Sequence, residues 1–246
     1  ANTLTIVGTN TDESSIGKGA FQKCTYLKTV NISGMKTITE QAFTNCTNME
    51  SSEITGAYTI SEKAFNSCTN LSDIAITGVH TIGNYAFEGC FKKGVTSASI
   101  PNTFTVIGDN AEGSSIGLGI CKGCTNLETA NISKIKIISN GSTTNGNNGA
   151  FLNAINLKYL TLGEGIEEIG QDAFRDTAAD INLPESLKVL KSTAFEGGYK
   201  GGTGNRNLVN GYSVIQIPCN VYSIGSGGLG ANGNFTAGGT SAIIFG

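Results

Sequence analysis

Apolar positions along this chain follow a fixed spacing. The pair Ala-Phe stands at Ala20-Phe21, Ala42-Phe43, Ala64-Phe65 and Ala86-Phe87, one copy every 22 residues. It returns at Ala150-Phe151, Ala173-Phe174 and Ala194-Phe195, and Ile120-Cys121 and Gly228-Leu229 occupy two further places where the pattern demands a copy. Three residues after the aromatic position come Cys24, Cys46, Cys68, Cys90 and Cys124; a further three on stand Leu27, Met49, Leu71, Leu127 and Leu157. Alternating apolar pairs follow: Val30/Ile32, Ile74/Ile76, Ala98/Ile100, Ala130/Ile132, Leu160/Leu162, Ile181/Leu183 and Ile215/Ile217. Units close on Ile-Gly, as at Ile82-Gly83, Ile107-Gly108, Ile169-Gly170 and Ile224-Gly225. Self-similarity at a period of this length predicts a stacked repeat architecture.

Each part of the unit predicts an element. Strand side chains alternate, so each apolar pair turns inward and the residues between and beside the pairs face outward. The A-F-x-x-C stretch is too short for a free-standing helix, and it predicts one α or 3₁₀ turn with Ala, Phe and Cys inward. Connectors with Gly34, Gly56 and Gly78, or with Pro101, Pro184 and Pro218, are expected to end the strands at one corner. No unit can bury its own apolar face, but stacked units share a core and a parallel sheet. The whole chain, 1–246, therefore reads as one domain, with coils near 1–15, 16–37, 38–59, 60–81, 82–106, 107–137, 138–168, 169–189, 190–223 and 224–246.

A second symmetry overlies the first. Ser14-Ser15-Ile16-Gly17 recurs as Ser114-Ser115-Ile116-Gly117, and Asn31-Ile32-Ser33 as Asn131-Ile132-Ser133, so a block of coils is duplicated. Loops are inserted near 141–149 and 198–211. Ala1 aligns with Pro101 in mid-coil, which leads us to expect a fragment of a longer protein with a coil or cap upstream.

The run Ile-Gly-x-x-Ala-Phe-x-x-Cys-Thr-Asn-Leu-x-x-Ile-x-Ile, clearest at 82–90 and 60–76, closely resembles the BspA-like leucine-rich repeats of bacterial and mucosal protozoan surface proteins. The resemblance covers nearly the whole chain. It implies an α/β repeat solenoid, a right-handed leucine-rich-repeat superhelix with a parallel sheet of about nine or ten short strands on its concave face. It also implies a place on the cell surface or in the secreted fraction, and work in adhesion. Departures from the pattern are Ile120-Cys121 for Ala-Phe, Ser52 at an inward position, and the Gly-rich final coil at 225–240.

Composition agrees with strands and tight turns rather than helices: charged residues are 14% and glycines number 34. The net charge of −3 comes without a Lys/Arg cluster, so a nucleic-acid partner is not expected. No apolar stretch approaches the ~18 residues of a span, so neither is membrane insertion of this domain.

Candidate chemistry reduces mostly to packing. The five column cysteines repeat at one strand spacing, ~4.8 Å, whereas bridged Cβ atoms want about 3.8 Å; buried free thiols are expected. Cys121-x-x-Cys124 has no second pair to make a metal site. His80, the single histidine, lies in a connector where Lys36 and Tyr58 hold the equivalent places. No Ser or Cys nucleophile therefore has its usual base, and no enzyme activity is expected. Glu164, Glu167, Glu168 and Asp172 lack the spacing of a calcium loop and read as a solvated connector. The Gly-rich runs are not followed by Lys-Ser/Thr and read as inserted loops, not phosphate loops. Asn-x-Ser/Thr triplets at Asn31, Asn45, Asn70, Asn131, Asn140 and Asn234 matter only in a eukaryotic source. No cofactor and no metal is expected.

What remains is a surface. The leading reading is an interaction module that binds a host or microbial surface protein or glycan. Its candidate contacts are Thr29, Asn31, Glu53, Asp73, Ser99, Asn131, Tyr159 and Thr161 on the outward face of the sheet. That face has few of the Trp, Tyr and Arg anchors that dominate binding hot spots, so the inserted loops are rival contacts. A structural spacer displaying another domain is the alternative, and an enzyme comes third.

Overall fold

The structure, a computed structural model, describes residues 2–94, 101–138, 148–177, 179, 182–195, 208–209, 212–225 and 241–245. The coils described throughout have three edges: a long strand, a two-residue strand and a run of turns. Among the described residues, seven long strands form one all-parallel sheet: Thr3–Val7, Thr29–Ser33, Ser51–Thr55, Asp73–Val79, Thr103–Gly108, Thr129–Ser133 and Tyr159–Leu162. Nine short strands, from Ser15–Ile16 through Thr81–Ile82 to Ser223–Ile224, stack into a second parallel sheet. Register follows the repeat, with Thr29 opposite Ser51 and Ser51 opposite Asp73. Val30, Ile32, Ile54, Ile74 and Ile76 point into the core and are buried. Where the repeat has Ser52 in place of an apolar residue, its buried hydroxyl donates to Val30 O at 2.7 Å.

Among the described residues the long-strand sheet has seven strands. A third sheet joins Tyr212–Ile217 to Ser241–Phe245 in parallel, and Leu208–Val209, in the segment read as an inserted loop, pairs with Tyr212–Ile217 antiparallel. The place of one strand needs correction. Thr103–Gly108, with Phe104 and Val106 inward, stands where the pair Ala98/Ile100 was expected. Pro101 precedes this strand, Ala98 and Ile100 lie outside the described residues, and Ile107-Gly108 belongs to the strand instead of closing a coil.

No described segment is helical, so the α/β description gives way to a β-solenoid. The reason lies in the backbone of the A-F-x-x-C stretch. Gln41 and Asn45 take φ of 58° and 61°, and Lys63 and Ser67 take 55° and 60°. Two left-handed residues in every five cannot belong to a right-handed helix. The amides alternate between two duties. Phe43 N–H and Asn45 N–H donate to Ala64 O and Asn66 O of the next coil, at 2.7 and 2.9 Å. Thr44 N–H and Cys46 N–H close turns on Gln41 O and Phe43 O, at 3.1 and 3.2 Å. An α-helix would need every one of these amides for its own i−4 carbonyl. Here half of them tie the coils together.

The aromatic row crosses the gap at Cys121 by borrowing a ring from the sheet. Phe21, Phe43, Phe65 and Phe87 stack with centroids 4.9–5.1 Å apart, and Phe151, Phe174 and Phe195 continue at 5.1 and 5.3 Å. Between the two runs Phe104 reaches in from its strand. It meets Phe87 edge-on at 5.4 Å and Phe151 at 5.8 Å. Its neighbours in the sheet column are Ile74 and the small Ala130. The volume that Cys121 leaves empty is filled by Phe104, and Ala130 leaves room for it. At the other extreme Phe21, expected to be buried, is only partly so, and so are Leu4, Ile6, Cys24 and Leu27.

Candidate interaction surface

All seven cysteines are free. Sγ of Cys46, Cys68, Cys90 and Cys124 donates to the carbonyl of Phe21, Phe43, Phe65 and Phe87 respectively, at 3.0–3.2 Å. The column is thus a ladder of hydrogen bonds from each coil to the one before it. Cys24 is only partly buried and Cys219 is exposed. Burial pushes the Cys68, Cys90, Cys121 and Cys124 thiols up, so the thiolate needed for nucleophilic or metal chemistry is disfavoured. Among the described residues no group of three or more His, Cys, Asp or Glu is placed to hold a metal ion.

Several connector charges pair with neighbouring coils. Nδ1 of His80 lies 2.9 Å from Asp109 Oδ2, and its ring stacks on Tyr58 with centroids 4.5 Å apart. Lys36 Nζ covers the Tyr58 ring at 4.4 Å and pairs with Asp12 at 3.5 Å. The acidic group at 164–172, expected to be a solvated connector, does reach solvent at Glu164, Glu167 and Glu168, but it also pairs with neighbouring coils, and Asp172 is buried. Both oxygens of Glu164 accept backbone N–H groups, from Glu185 and Ser186, at 3.0 Å. Glu167 sits between Lys136 at 2.7 Å and Lys188 at 2.6 Å, and these two hydrogen bonds hold its carboxyl below the usual carboxylate range. Glu168 pairs with Lys191 at 2.8 Å. Asp172, buried, accepts from Thr193 Oγ1 at 2.5 Å and pairs with Arg175.

The outward face of the long-strand sheet is different. Its side chains stand in three columns across the strands. One runs Thr29, Ser51, Asp73, Thr103, Thr129, Tyr159; the next runs Asn31, Glu53, Ala75, Thr105, Asn131, Thr161. The third runs Val7, Ser33, Thr55, Thr77, Ile107, Ser133. Thr29 and Ser51 hydroxyls are 3.2 Å apart, and Asn131 Nδ2 donates to Thr105 Oγ1 at 3.4 Å. Asn31, Ser51, Ser52, Glu53, Asp73 and Ala75 line a shallow hollow. Among the described residues neither Glu53 nor Asp73 forms an ion pair. Asp73 reaches solvent, yet desolvation by its surroundings pushes its carboxyl above the usual range.

The fold therefore brings Thr29, Asn31, Glu53 and Asp73 together at one end of this face, and Asn131, Tyr159 and Thr161 together at the other. Three strand spacings, ~14 Å, separate Asp73 from Tyr159. Ser99 lies outside the described residues. Thr103, Thr105 and the exposed Ile107 share the face without having been anticipated, because their strand was placed too early in the chain. A signal for them existed: Thr103-Phe-Thr-Val repeats Thr3-Leu-Thr-Ile in the duplicated block.

With this geometry in hand, comparison with known proteins is direct. Six copies of the BspA type leucine rich repeat region match the chain over residues 2–118 and 144–200. The fold is similar to that of a leucine rich repeat protein from T. pallidum, at 19% identity and a TM-score of 0.51, over 72% of this chain and 77% of that one. A leucine rich cell surface protein from Faecalibacterium prausnitzii is 19% identical, with a TM-score of 0.46, over 98% of this chain and 69% of its own. No curated protein matches the chain. No helix among the described residues is long and apolar enough to cross a membrane. The period, the Phe row and the family match agree: the chain belongs to the BspA-type leucine-rich repeat family.

Proposed function

We propose that this chain is an interaction module at the cell surface or in the secreted fraction, and that it binds a host or microbial surface protein or glycan through the outward face of its long-strand sheet. One observation carries the reading. Several charged connector side chains pair with a neighbouring coil, whereas Glu53, Asp73, Tyr159 and Thr161 stand exposed on the sheet face and form no ion pair among the described residues. A repeat scaffold lines up such outward residues, strand after strand, on one continuous face that a partner can reach. The surface location rests on membership of the family. Adhesion is the form of binding that the family resemblance favours, and catalysis has no support in any side-chain arrangement described above.

The test is a binding screen against matrix proteins and glycans, followed by the combined change Asn131→Lys, Tyr159→Lys and Thr161→Lys. Binding should be lost while the melting temperature stays nearly unchanged. If binding survives that change but is lost when the 141–149 or 198–211 segment is shortened, the loops are the site. If the screen finds no ligand for the intact chain, the spacer reading takes its place.

A further inference from the structure

We draw no further inference here: the strongest candidate, the Glu53 and Asp73 carboxylates in the hollow of the long-strand sheet, belongs to the face already described, and no buried unpartnered side chain beside them points to what they would hold.

Discussion

Two residues explain each other across the core. Cys121 stands where other coils have Phe, and Phe104 stands where other long strands have Val30, Ser52, Ile74 or Ala130. If Phe104 fills the space left by Cys121, the two positions must be coupled. Phe104→Ala should cost about 3–5 kcal/mol by leaving the cavity open. Cys121→Phe should cost about 1–3 kcal/mol, because its new ring meets Phe104. The double variant should then be more stable than the sum of the two losses predicts, by on the order of 1 kcal/mol or more in denaturant unfolding. Simple additivity would show that the two side chains do not share the space. The thiols allow a second test at this scale. A disulfide-exchange reagent should label Cys219 first in the native protein and Cys24 more slowly. The other five should react only on unfolding, since burial denies both access and the thiolate. Fast labelling of Cys68 or Cys90 in the folded chain would contradict the ladder.

At the scale of elements, much was legible because strand periodicity needs only two or three well-placed apolar residues. Val30/Ile32 and Ile74/Ile76 marked their strands correctly, and the Ile-Gly closures at Ile82 and Ile169 marked short strands. Failures have a common cause: they depend on partners in other coils. A local reading of A-F-x-x-C offers a helical turn, and only the neighbouring coil's carbonyls reveal why half its amides point sideways. The pairing of the acidic group at 164–172 was hidden for the same reason, as its partners Lys136, Lys188 and Lys191 lie one coil away on either side. This gives a pH-dependent prediction. Glu167 has its carboxyl lowered by Lys136 and Lys188, so its contribution is present above its unfolded pKa, ~4.3, and is lost as pH falls through the lower folded value. The bridge is partly exposed, which keeps the effect small. At pH 7 and low salt Glu167→Gln should lower the melting temperature by about 2–4 °C. The difference from the parent should shrink at pH 3 and at high salt. A difference unchanged at pH 3 would rule out the ion pairs as its source.

For the whole molecule, a solenoid has neighbours only along its axis, so stability depends on how many sides of a coil are covered. The site follows the same geometry. Its columns are legible once strand register is known, because the outward residue of each strand lands beside its equivalent in the next. The misplaced strand therefore cost the sequence reading Thr103, Thr105 and Ile107 together. Phe65 is sandwiched between Phe43 and Phe87 and fully buried. Phe65→Ala should cost about 3–5 kcal/mol in denaturant unfolding, because the rings on either side stay in place and leave a closed cavity. The Phe65 amide donates to Ala86 O of the next coil at 2.8 Å, so its hydrogen exchange should be among the slowest in the chain and should speed up in the variant. A cost no larger than that of an exposed surface substitution, with the Phe65 amide exchanging as fast as before, would show that the stacked rings do not hold the coils together.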